Sequence, residues 1–175
     1  GTARNVSAIN VTGDATIVGT TYHGVAVPVS VAAGKTATLR GIQNLTQTLS
    51  GSGDLLVQNS TLTLGGTNTF NGNIRLAGGS LAISATGNVA SVAGLSVEND
   101  AGLALSTNDA TLAAPVTIAA SKLLTLSGNH VLTLSGAISG DGAVRLNTNG
   151  GVVFGATGTY HGDTALDAGT AFLGA

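Results

Sequence analysis

Residues 51–84 read GSGDLLVQNSTLTLGGTNTFNGNIRLAGGSLAIS, and residues 140–174 read GDGAVRLNTNGGVVFGATGTYHGDTALDAGTAFLG. Gly53 aligns with Gly142 at an offset of 89, and after one inserted residue the offset becomes 90. It then holds through Leu64 with Phe154, Gly65 with Gly155, Phe70 with Tyr160, Gly72 with Gly162, Leu76 with Leu166, Gly79 with Gly169 and Ile83 with Leu173. Self-similarity of this kind marks a repeat architecture in which each unit buries its apolar face against the next. A weaker copy lies near residues 19–39, where Thr21-Tyr22-His23-Gly24 repeats Thr159-Tyr160-His161-Gly162.

Within the units the local period is two, as in Leu62-Thr63-Leu64, Ile74-Arg75-Leu76, Leu81-Ala82-Ile83, Val116-Thr117-Ile118 and Leu124-Thr125-Leu126. Such alternation sends one side chain inward and the next outward along a strand. It predicts Leu64, Leu76, Leu81 and Ile83 inward in the first unit, Phe154 and Leu166 inward in the second, and Arg75 outward. The runs end in Gly, Asn or Asp, including Asn71-Gly72 and Asn149-Gly150, residues that accept the positive φ of tight corners. In the Gly-poor window Leu103 to Ser127, Pro115 and the alternation around it oppose a helix, and no helix is expected anywhere. Three short strands and three corners make roughly 20 to 25 residues per coil. The expected fold is therefore all-β, a right-handed parallel β-helix of about 7 to 8 coils running through residues 1–175, with the repeat offset equal to about four coils.

Composition agrees with a solenoid and excludes several function classes. Only 8% of residues are charged, where about 25% is usual, and there are 27 glycines among 175 residues. Aromatics are 3%, so the core must be made of small and aliphatic side chains. Polar residues interrupt every apolar run well short of the ~18 residues of a membrane span, so no membrane insertion of this segment is expected. The six basic residues, Arg4, Lys35, Arg40, Arg75, Lys122 and Arg145, are scattered singly, which offers no patch for nucleic acid. Cysteine is absent, so there is neither a disulfide nor a thiolate metal ligand.

The unit from Gly51 to Ser84 resembles the passenger-associated transport repeat of bacterial autotransporters, the type V secretion family. The pattern G-x-G-x-L, L-x-L-x-G-x-N-T-[FY]-x-G, L-x-x-G-[ST]-L is carried by Gly51, Gly53, Leu55, Leu62, Leu64, Gly66, Asn68, Thr69, Phe70, Gly72, Gly79, Ser80 and Leu81. The second unit keeps Gly140, Gly142, Gly155, Thr159, Tyr160, Gly162, Gly169 and Thr170, and departs at Gly158 and Ala171. The resemblance implies a passenger exported across the outer membrane to the bacterial cell surface or secreted, with a separate C-terminal β-barrel translocator as partner. It also implies that the chain, which starts at Gly1-Thr2-Ala3, belongs to a longer polypeptide. The function so implied is that of an adhesin or structural stalk, its partners being other copies of itself or molecules on host or neighbouring cells.

The competing expectation is a polysaccharide-active β-helix enzyme of pectate lyase or polygalacturonase type. Glycoside hydrolysis needs two carboxylates facing each other across the scissile bond. The acids are Asp14, Asp54, Glu98, Asp100, Asp109, Asp141, Asp163 and Asp167, and Asp163 and Asp167 flank glycine corners, where Asp is a turn former. His23 and His161 occupy equivalent corners in which the middle copy has Asn71, a residue that cannot act as a general base, and His130 is isolated. The glycine-rich stretches lack the tandem G-G-x-G-x-D of calcium nonapeptides, no helix follows Gly-x-Gly to bind phosphate, and G-x-S-x-G is missing. No catalytic, cofactor or metal residue is expected. The enzyme reading requires Asp, Arg and His to converge on one face of consecutive coils; the scaffold reading requires acids distributed over corners.

Overall fold

The computed structural model describes residues 6–174, apart from the side chains of residues 20–23. The Tyr22 and His23 side chains of the weak third copy therefore lie outside what is described. The strands are β1 (Ile9–Val11), β2 (Ala15–Val25), β3 (Val29–Val31), β4 (Thr36–Leu45), β5 (Leu49–Gly51), β6 (Asp54–Leu64), β7 (Asn73–Ile83) and β8 (Gly94–Leu105). They continue with β9 (Ala110–Leu112), β10 (Val116–Ile118), β11 (Leu123–Gly128), β12 (Val131–Leu134), β13 (Ile138–Gly140), β14 (Ala143–Phe154), β15 (Thr159–Tyr160) and β16 (Thr164–Leu173). Every pairing between them is parallel and joins one coil to the next. The result is a three-sided parallel β-solenoid of about eight turns.

Apolar residues stack in register because each coil repeats the inward parity of the last. One column on the second face runs Leu39, Val57, Leu76, Val97 and Ile118, and one on the third runs Leu62, Leu81, Leu103, Leu126 and Leu146. All ten are at most 1% exposed. At roughly 1.5–3 kcal/mol for each fully buried aliphatic side chain, these ladders supply most of the driving force. Leu64, Leu76, Leu81 and Ile83 are buried as the alternation predicts. Phe154 is only half-buried against the core. Leu166, although in register with Leu146, is 55% exposed, because β16 pairs with β14 alone among the described strands.

Two sequence expectations need correction. Short strands separated by corners are expected, yet β2, β4, β6, β7, β8, β14 and β16 run through a corner and reach 10 to 12 residues. A residue with positive φ, Gly41 at 66° in β4 and Asn59 at 49° in β6, turns the chain from second to third face while the strand continues on both sides. As expected, no α-helix forms among the described residues, and Thr86–Asn88 makes a single 3-10 turn. The repeat offset is not a whole number of coils. Gly51 stacks on Val31 and Val11 of the first face, whereas its counterpart Gly140 stacks on Ile118, Val97, Leu76 and Val57 of the second. The two copies are thus related by four coils and one further face.

The copies nevertheless make the same local contacts. Gly51 and Gly140 have φ of 95° and 101°, and a Cβ on either would strike the carbonyl of Val31 or Ile118 in the coil below. Gly53 N donates to Val31 O and Gly142 N to Ile118 O, both at 3.2 Å. Asn71 N donates to Gly51 O at 3.0 Å and His161 N to Gly140 O at 2.9 Å. Each glycine therefore lets an aromatic sit directly over it, Phe70 in one copy and Tyr160 in the other. Phe70 is 1% exposed, so the motif encodes a corner with its aromatic plug and is indifferent to which face it occupies.

Candidate functional site

The acids divide into two groups by what they touch. Asp14, Asp100 and Asp109 each accept a backbone N–H from the coil above, from Thr36 at 2.9 Å, Leu123 at 2.9 Å and Val131 at 2.8 Å. A carboxylate accepting a backbone N–H makes a charge-assisted bond, so these residues staple one corner to the next. Asp163, exposed at its corner, receives the Val144 N–H on its main-chain oxygen at 2.9 Å. Asp167 instead pairs with Arg145 across adjacent coils.

The histidines stay apart from one another. His161 Nδ1 lies 3.0 Å from Asp141 Oδ1, with both side chains at least 70% exposed. His130 Nδ1 lies 3.7 Å from Asp109 Oδ1, at a different corner. The His23 side chain lies outside the described residues. Among the described residues no three His, Cys, Asp or Glu side chains gather to hold a metal ion, and no helix is long and apolar enough to cross a membrane.

One convergence was not foreseen from sequence. On the second face, Asp54, Arg75 and Glu98 project outward from three successive coils. Arg75 Nε donates to Glu98 Oε1 at 2.6 Å, and Arg75 Nη1 stands 3.9 Å from Asp54 Oδ2. Asn73 Nδ2 donates to Asp54 Oδ1 at 3.1 Å. The bond to Glu98 raises the Arg75 pKa above its ordinary value, so the guanidinium remains a cation. Leu95 and Val97 are buried, so alternation sends Glu98 outward together with Ser96, the partner of Arg75, and a β-bulge falls at Glu98. Leu76 pairs with Val97 but Ala77 pairs with Asn99, so Glu98 is the extra residue. The spacings between Asp54, Arg75 and Glu98 approximate a coil and all three have outward parity, but the register that sets them side by side depends on coil lengths that the sequence does not give.

Chemically, this cluster offers carboxylate acceptors beside guanidinium and amide donors. The guanidinium does not give up a proton, and no histidine joins the group, so the Asp, Arg and His convergence that the enzyme reading requires is met in part only. A second buried network serves structure. Asn68 Oδ1 accepts from Leu49 N at 2.8 Å and its Nδ2 donates to Asn88 O at 3.0 Å, while Asn88 Oδ1 accepts from Ser84 N at 2.7 Å and Ala85 N at 3.0 Å. Two asparagines thereby link three coils where the 3-10 turn would otherwise leave main-chain groups unpaired. No protein-family model matches the chain, and neither a curated protein nor a solved structure matches it.

Proposed function

We propose that the chain is a surface-exposed passenger β-helix of autotransporter type that works as an adhesin or structural stalk and not as an enzyme. The observation that carries this reading is the distribution of its acids. Asp14, Asp100 and Asp109 are spent on stapling successive corners, and Asp167 on an intercoil ion pair. The outward side chains are otherwise mostly short and polar, as in the Ser30 to Asn10 bond at 2.7 Å, the Ser80 to Thr61 bond at 3.1 Å and the Thr117 to Ser139 contact at 3.2 Å. Such ladders give many weak contacts to a partner, and useful affinity then comes from several coils or many molecules acting together. The resemblance of residues 51–84 to the transport repeat supports cell-surface placement.

The test is to display the chain on cells through an outer-membrane β-barrel and measure cell–cell aggregation and adhesion to host cells, alongside hydrolysis of a pectin and glycan panel. Aggregation or adhesion above that of cells displaying the barrel alone supports the reading. Glycan cleavage abolished by Asp54→Asn or Glu98→Gln overturns it.

A further inference from the structure

Outward positions on the second face form two rows parallel to the solenoid axis. Along the corner run Asp54, Asn73, Gly94 and Pro115 on four successive coils, Asn73 being paired with Gly94. Beside them run Arg75 and Thr117. Between the rows lies an open depression of about 280 Å³. Three intercoil steps of roughly 4.8 Å make it about 14 Å long. Gly94 opens it. Its φ is not positive, so its backbone would accept a side chain, yet a Cβ there would come within 3.0 Å of Asn73 Oδ1.

We propose that this depression is a binding site for a neutral oligosaccharide, which deepens the adhesin reading above and rests on it by naming the partner's chemistry. Neighbouring sugar hydroxyls are both donors and acceptors and need both kinds of group side by side. Here the Asp54 carboxylate accepts, the Arg75 guanidinium donates, and the Asn73 amide and Thr117 hydroxyl do either. Arg75 has five N–H donors, of which Nε is committed to Glu98, and its Nη1 at 3.9 Å from Asp54 is beyond hydrogen-bond reach. The ion pairs hold these groups in place before a ligand arrives, which lowers the ordering cost of binding. Pro115 provides an apolar edge for the C–H face of a sugar ring. Asp54 in the depression and Glu98 on Arg75 beside it, against one guanidinium, leave the patch net negative, which repels sulfated or sialylated chains.

The chain, labelled with ¹⁵N, is titrated with maltotriose, mannotriose and chitotriose, with sialyllactose and a heparin hexasaccharide as anionic comparators. At least one neutral trisaccharide is expected to shift the Asn73, Gly94 and Thr117 amides saturably, with Kd in the millimolar range. Gly94→Val and Thr117→Ala each weaken that binding at least tenfold, while Thr133→Ala on another face leaves it unchanged. If Gly94→Val fails to fold, Thr117→Ala decides. Binding of the anionic probes alone, no saturable shift with any neutral probe, or unchanged affinity in a folded Gly94→Val overturns the proposal. Displayed cells that still adhere when the chain binds no saccharide leave the adhesin reading standing without this site. Saccharide binding by a chain that confers no adhesion leaves the site standing without that reading.

Discussion

Leu76 and Arg75 are chain neighbours with opposite environments. Leu76 is fully buried between Val57 and Val97, so Leu76→Ala removes packed methyl groups that neighbouring coils cannot easily replace, and a loss of about 2–5 kcal/mol is expected. Arg75 is outward with its side chain 35% exposed. Solvent screens its ion pairs, so Arg75→Ala is expected to cost about 0.2–1 kcal/mol, with less effect at high salt. Urea melts of both variants check the ranking, and the reverse order would mean that the register is wrong. Asn68 presents a different case. Alternation gives no sign that this polar residue is 6% exposed and bonded to two other coils, because burial here follows from a corner and not from a strand face. Asn68→Ala leaves the Leu49 N–H without a partner, and a loss of about 1–3 kcal/mol is expected from the same melts.

At the scale of strands and coils, alternation and the glycine corners made the parallel solenoid legible, and the long repeat located its equivalent corners. Coil length was not legible. In the column through Leu39 the steps range from the 18 residues between Leu39 and Val57 to the 22 between Ile118 and Gly140, since corners absorb extra residues at little cost. A 90-residue offset therefore fits either four long coils or four shorter ones plus a face, and sequence alone cannot choose. The same tolerance makes the coil the unit of deletion. Removing residues 55–73 joins Asp54 to Ile74, the partner of Leu55, and so excises one turn while keeping every inward column in register. Removing residues 55–64 instead moves the chain on by part of a turn and breaks all three columns. Circular dichroism and melting should show the first variant folded with a lower midpoint and the second unfolded. Similar midpoints for the two would show that coils do not stack as independent layers.

Over the whole molecule, each coil touches only the coils directly above and below, so stability is close to a sum of coil terms and coil–coil interfaces. The interior strands β7 and β8 are held on both sides, β7 by β6 and β8 and β8 by β7, β10 and β11. Strand β16 is held by β14 alone among the described strands, and its coil leaves Leu166 55%, Phe172 50% and Leu173 82% exposed. Local opening there exposes little surface that is not already wet, so its free energy lies well below that of the interior. Hydrogen exchange of the 175-residue chain should therefore grade along the axis, with Thr164–Leu173 exchanging fastest and Asn73–Ile83 slowest, and with no single rate shared by all strands. Leu76→Ala should speed exchange in β6, β7 and β8 more than in β14, because the loss is confined to the interfaces its coil makes. If β16 exchanges as slowly as β7, the solenoid opens all at once, and the additive picture behind both the coil deletion and the adhesive ladder fails with it.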